Sequence, residues 1–370
     1  MTEARPFALA VALALSVGCS MPAPTESQQD GLRTLHNDWT SDGDGFVTFD
    51  LDVGSETSML VTIDAESPYL AYVKNLYGPD GNVVVDGEAW AQSDQSLVGG
   101  VYIDVVSSLG WPLLSADTLA PGTWSVEVGV TDVEGFYVSG ANVAFDAQLK
   151  TDDDLSGGVM GADIVYVGPV IQDVAARTAV EEAVGHWQDL YASVGISLEP
   201  EYWELDGPAT MAAPGDGNAA DYIAIAEQTN FRNVNVVIVE DIDSSLGQVY
   251  GIAGGIPGAL VATESSAVAV SVLVNAGPDL VFSEEDVRLL GETMAHETGH
   301  FTGLSHPVEG TMDHWDALDD TPDCGSTNAC ESALGSNLMF PYPVCDGACT
   351  PQDELTNQQG GITNRYVGVE

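Results

Sequence analysis

The chain has 370 residues, and 45% of them are apolar. Spread along the length, that is enough to bury a core in each of two ordinary domains, which excludes a disordered or fibrous protein. Against 57 Asp and Glu stand only eight Lys and Arg, a formal net charge of −49; such a surface repels phosphate backbones and anionic headgroups, so no nucleic-acid partner is expected, whereas solubility in salty surroundings and carboxylate sites for Ca2+ both suit it.

In chain order, Phe7 to Gly18 is an apolar run of the length of a signal-peptide core, too short to span a bilayer. It ends in Ser16-Val17-Gly18-Cys19-Ser20, which resembles a bacterial lipoprotein box with Cys19 as the lipidated residue. The resemblance implies export, as a cell-envelope lipoprotein or a secreted protein, with residues 1–19 as the signal and any membrane contact made through the lipid alone. Residues 20–34 are polar and without period, as a tether would be.

From 35 to 150 the period is two. Val47, Phe49, Leu51 and Val53 alternate with polar residues, as do Trp124, Val126, Val128 and Val130, and Val143, Phe145, Ala147 and Leu149. Turn signals such as Gly78-Pro79-Asp80-Gly81 separate such runs. Short strands with one apolar face need a second sheet to cover them, which predicts an antiparallel β-sandwich. Leu119 to Val126 is similar to the late hairpin of sandwiches found beside secreted proteases.

Residues 151–160, with Asp152-Asp153-Asp154 and Gly157-Gly158, read as a linker. From 161 to 370 the elements alternate, which predicts an α/β domain. Strands are expected at Ala162 to Val167, Ile196 to Leu205, Val234 to Val239 and Ala267 to Val274, and helices at Asp173 to Val194 and Ala219 to Ala226. The glycine-rich Gly251 to Gly258 lacks a phosphate-loop lysine and dinucleotide spacing, so it reads as a loop beside a cleft.

Ser283-Glu284-Glu285-Asp286 has the spacing of a helix N-cap box, and Val287, Leu290, Met294 and Phe301 follow at helical intervals. On that helix His296 and His300 project from the same face and can share one ion. Glu297 lies about 100° around from His296, beside the ion and not on it, placed to take a proton from bound water. Gly303 lets the chain leave the helix, and His306 beyond it can return as third ligand. Three histidines leave a coordination position open, the arrangement of a catalytic Zn2+. Three of the six histidines in the chain fall in His296-Glu297-Thr298-Gly299-His300-Phe301-Thr302-Gly303-Leu304-Ser305-His306, so the signal is far more specific than a lone HExxH. His36, His186 and His314 have no such setting, although His314 is close enough in sequence to border the cleft.

This segment resembles the metzincin clan of zinc peptidases. The resemblance implies a methionine turn beneath the metal, for which Ser336 to Pro341 supplies Met339, and a horizontal cleft in which an extended protein or peptide substrate pairs with an edge strand, here expected within Val261 to Val274. Tyr342 stands one place later than the tyrosine that supports the transition state in many of these enzymes. Ala317 to Cys324, with its Asp-Thr-Pro, resembles the pappalysin-like branch, whose relatives carry paired disulfides and can bind calcium here. Pro307 after His306 resembles serralysins, but their calcium repeats are lacking. Cys324, Cys330, Cys345 and Cys349 can form two disulfides in three connectivities, suited to an oxidising compartment, and their spacings do not favour a second zinc site. The expected activity is therefore that of a zinc-dependent endopeptidase acting on extracellular or envelope proteins. The alternatives are a surface-binding lipoprotein with a degenerate zinc domain and a zinc amidase acting on peptidoglycan peptides.

Overall fold

The alternating strands of the first half pack as two facing antiparallel sheets. The structure is a computed structural model that describes residues 25–29, 31–95, 104–152, 154–215, 220–277 and 279–370. The export segment, Cys19 and the start of the tether lie outside the described residues. One sheet has five strands in the order Thr25–Gln29, Leu32–Thr40, Asn142–Lys150, Ser58–Asp64, Val106–Trp111; the other has four, Phe46–Val53, Gly122–Thr131, Leu70–Tyr77, Val83–Asp86. The inward residues of Phe46–Val53 are buried at every second position, the signature of a strand with one wet face. Aromatic rings bridge the sheets: Phe49 stacks on Phe145 with centroids 4.0 Å apart, and Trp111 meets Trp124 at 5.9 Å. Both Trp124 and Phe49 are almost completely buried.

The tether is shorter than expected. Thr25–Gln29 is a strand that pairs antiparallel with Leu32–Thr40. All its side chains are exposed, so it is held by backbone hydrogen bonds and has no apolar period to betray it. The linker is also short, since the next strand, Gly158–Val167, begins within it.

The second half is built on a mixed sheet in the order Ile196–Leu205, Gly158–Val167, Val234–Val239, Val268–Ser271, Gly251–Ala253. The first four strands are parallel and the last is antiparallel. Val234–Val239 is buried at every residue, as a continuous apolar run covered on both faces should be. Ile164, Val236 and Val270 face one layer, and Val165, Val237 and Ala269 face the other. Helices Val174–Ala192 and Glu284–Phe301 fill the first layer, and the Tyr191 hydroxyl donates to the Ala295 carbonyl at 2.9 Å.

Two expectations need correction. The run Ala267 to Val274 is a strand only over Val268–Ser271; Ser271 then caps a short helix, Val272–Ala276. That strand is internal, and the sheet edge beside it is Gly251–Ala253, inside the glycine-rich segment expected to be a loop. Glycines give no side-chain period, so the backbone pairing of this strand is invisible in sequence.

The halves share an apolar cluster in which Leu32 and Leu60 of the sandwich join Leu260, Ile362 and Tyr366. Lys150 Nζ, buried at the joint, donates to the carbonyls of Asn364 and Val369 at 3.0 and 2.6 Å and lies 3.2 Å from Asp152. The cysteines pair as Cys324–Cys330 and Cys345–Cys349, which excludes a zinc site made of all four and is the chemistry of an oxidising compartment.

Candidate metal centre

Helix Glu284–Phe301 opens with a complete capping box: the Asp286 N–H donates to Ser283 Oγ at 3.2 Å, and the Ser283 N–H donates to Asp286 Oδ2 at 2.7 Å. Val287, Leu290, Met294 and Phe301 anchor one stripe in the core, which turns His296, Glu297 and His300 toward the cleft. After Phe301 the chain turns at Gly303, whose φ of 109° is one that a side chain resists. Leu304 N–H then caps the Gly299 carbonyl at 2.9 Å, and His306 comes back over the helix.

The ligand nitrogens of His296, His300 and His306 all lie within 4.8 Å of one another. The outer nitrogen of each ring is tied. His296 Nδ1 donates to the Leu338 carbonyl at 2.6 Å, and His300 Nδ1 donates to the Leu304 carbonyl at 2.6 Å. His306 Nδ1 lies 2.9 Å from Glu309 Oε2. A carbonyl can only accept, and so can an ionised carboxylate, so the protons sit on Nδ1 and each Nε2 points inward with a lone pair. His300 Nε2 and His306 Nε2 are 3.1 Å apart. Two facing lone pairs repel at that distance unless a cation lies between them, and nitrogens bound tetrahedrally to one zinc would stand about 3.3 Å apart. Burial first, then the neighbouring His306, pulls His296 down to about 3 and His300 well below its ordinary value. Both are thus neutral, the form that binds metal. The three residues can hold a metal ion.

Glu297 stands beside the triad. Burial pushes its carboxyl up to about 8, against a backbone hydrogen bond from Ala253 in the edge strand. A divalent cation next to it works in the other direction, toward the carboxylate. The edge strand is pressed on this side chain: a Cβ on Gly251 would lie 2.8 Å from Glu297 Cγ.

Met339 lies under the helix, fully buried, with Sδ 2.5 Å from where a Gly299 Cβ would be. Its turn is held by Asn337, whose Oδ1 accepts from the Met339 N–H at 2.9 Å, and whose side chain exchanges amide hydrogen bonds of 3.0 and 3.1 Å with Gln359. The same turn supplies the Leu338 carbonyl that orients His296. The Tyr342 ring borders a small cavity with His296 and Glu297, but its hydroxyl is turned to Glu331 at 3.3 Å. His314 is exposed and paired with Asp313.

Sequence reasoning missed Glu309, which its position three residues after His306 could have signalled. It also missed the part of the sandwich in the site. A cavity of about 560 Å³ opens on His300 and His306, and Asp104, Ser107 and Ser108 form one of its walls. Among the described residues, these three histidines are the one group of three or more His, Cys, Asp or Glu whose ligand atoms lie within 4.8 Å of one another.

No protein-family model matches the chain. No curated protein matches it at a significant level. Among solved structures it is similar to metalloproteinase-II from Bacteroides fragilis, with 13% identity over 54% of this chain and 61% of that one and a TM-score of 0.28. A family two carbohydrate esterase from Cellvibrio japonicus aligns with 8% identity over 60% and 79% of the two chains and a TM-score of 0.16. The chain thus spans under two thirds of the bacterial metalloproteinase, and likenesses of this size carry no argument about its own chemistry.

Proposed function

We propose that the chain is a zinc-dependent endopeptidase of the metzincin type that takes protein or peptide substrates in extended form. One observation carries the reading: three imidazoles turn their Nε2 lone pairs to one point, each held from behind at Nδ1, with Glu297 beside them. Three nitrogen ligands suit zinc with a coordination position left open. When bound, zinc polarises a carbonyl and lowers the pKa of water to roughly 7. Glu297 takes the proton of the attacking water on its carboxylate and hands it to the leaving amine. Gly251–Ala253, the sheet edge that touches Glu297, is the strand an extended substrate would join. Met339 gives the site an apolar floor that limits movement of the helix between the two histidines.

The Asp-Thr-Pro segment and the disulfides on either side of Met339 favour the pappalysin-like branch, and the disulfides together with the lipoprotein-like leader favour an exported protein. The test is Glu297→Ala. Zinc content should stay near that of the unmutated protein while casein hydrolysis falls at least about 100-fold. Hydrolysis that survives in this variant, with contaminating protease excluded, would sink the mechanism. Release of soluble muropeptides from purified sacculi without casein hydrolysis would move the target to peptidoglycan.

A further inference from the structure

The Leu338 carbonyl that accepts the Nδ1 proton of His296 belongs to the same peptide unit as the Met339 N–H. In a planar trans peptide the two point to opposite sides, so whatever holds the N–H also aims the carbonyl. Asn337 holds it: its Oδ1 accepts from the Met339 N–H at 2.9 Å. The same oxygen accepts from Gln359 Nε2 at 3.1 Å, and Asn337 Nδ2 donates back to Gln359 Oε1 at 3.0 Å. Main-chain donors orient both amides. The Met339 N–H selects the oxygen of Asn337, and the Thr356 N–H, at 2.9 Å, selects the oxygen of Gln359.

Gln359 is fully buried, and Asn337 nearly so. A buried amide is unfavourable unless its polar atoms are bonded, and a second amide offers the complementary donor and acceptor. Gln359 also closes the capping box of helix Asn357–Arg365 with Thr356. That box uses its oxygen alone, which leaves Nε2 for Asn337. The helix is held at two further points: Thr302 Oγ1, at the end of helix Glu284–Phe301, donates to Thr363 Oγ1 at 3.3 Å, and Lys150 Nζ of the sandwich donates to the Asn364 carbonyl at 3.0 Å. From this base the hydrogen bonds run Gln359 to Asn337, Asn337 to the Leu338–Met339 peptide, and that peptide to His296. In such a chain each bond polarises the next.

We infer that Gln359 is a positioning residue of the metal centre, acting through Asn337 on the peptide that aims His296. The inference rests on the reading of the three histidines as a zinc site and deepens it, whatever the site hydrolyses. It gives the helix after the second disulfide a part in metal binding, although none of its side chains touches a ligand histidine.

The test is the zinc affinity of the full-length protein, by competition with a chromophoric chelator, together with the Nδ1 proton resonance of His296 in zinc-loaded protein carrying isotope-labelled histidine. Gln359→Met keeps the length and removes the amide. It should weaken zinc binding about 3–10-fold, less than the loss of a direct partner of a ligand histidine. The His296 resonance should move upfield, while that of His300, whose Nδ1 is tied to Leu304 instead, stays. In an Asn337→Ala background the same substitution should cost no further affinity, because the chain is already cut. Thr356→Ala removes a cap of the same helix and leaves the two amides paired, so it should lower Tm without either effect. Unchanged affinity with an unmoved His296 resonance in Gln359→Met overturns the inference, as do an equal further loss in the Asn337→Ala background and equal effects in Thr356→Ala. If Gln359→Met folds poorly, Gln359→Asn, too short to reach Asn337, carries the same expectation and the same refutation. A protein that takes up no zinc overturns this inference and the metal centre together; zinc binding indifferent to Gln359 overturns this inference alone.

Discussion

Oε2 of Glu309 lies 2.9 Å from Nδ1 of His306, and this contact alone among the three behind the triad is made by a side chain. His306 sits on a loop beyond Gly303, so its ring lacks the helical frame that holds His296 and His300. The carboxylate supplies what the loop lacks, fixing the tautomer and raising the basicity of Nε2.

Glu309→Ala should therefore weaken zinc binding about 10–100-fold, whereas Glu309→Gln, which keeps an acceptor, should recover much of it. Competition against a chromophoric chelator reads this directly. Unchanged affinity in the alanine variant would assign Glu309 no part in the centre.

Zinc removal should lower thermal stability, because the ion binds only where the three rings are assembled. At a free zinc concentration of 1,000 times Kd the stabilisation is about 4 kcal/mol. His300→Ala should abolish the zinc-dependent rise in Tm while keeping the far-ultraviolet circular dichroism of the folded protein. Identical melting with and without zinc would count against a preorganised site.

Gly299→Ala sets two effects against each other. Alanine favours the helix by about 1 kcal/mol, but its Cβ would sit 2.5 Å from Met339 Sδ and 3.1 Å from its Cε. Overpacking of this kind costs about 1–3 kcal/mol, so a net loss is expected in urea denaturation. Combined with Met339→Ala, the loss should be less than additive. A stabilised Gly299→Ala would mean that Met339 is not a fixed floor.

Asp316 is 5% exposed, accepts hydrogen bonds from the Thr321 hydroxyl and the Leu318 N–H, and has no partner at Oδ2. Burial, the largest cause, pushes its carboxyl up to about 7 from 3.8. Between those values the folded chain holds the proton more tightly than the unfolded chain. The contribution of Asp316 to stability therefore rises as pH falls through 7 toward 4 and is lost as pH rises through 7. The unmutated protein should gain stability over Asp316→Asn between pH 8 and 5, by on the order of 1–3 kcal/mol. A difference that does not change with pH would show that the group ionises normally.

What the sequence by itself determined were features contained in one element. The capping box at Ser283, the apolar stripe through Met294, the i, i+4 pair His296 and His300 with Glu297 beside them, and the alternation of Val47 to Val53 all follow from the repeat of a helix or a strand, which local side-chain chemistry reveals. Tertiary structure decided the rest. Gly251–Ala253 became the sheet edge and Thr25–Gln29 a strand through backbone hydrogen bonds, which leave no trace in side-chain pattern. Which carbonyl orients His296 and how Asp104 reaches the cavity of His306 depend on residues far apart in the chain. Such contacts exist only once distant segments of the chain have packed together, and no local period encodes them.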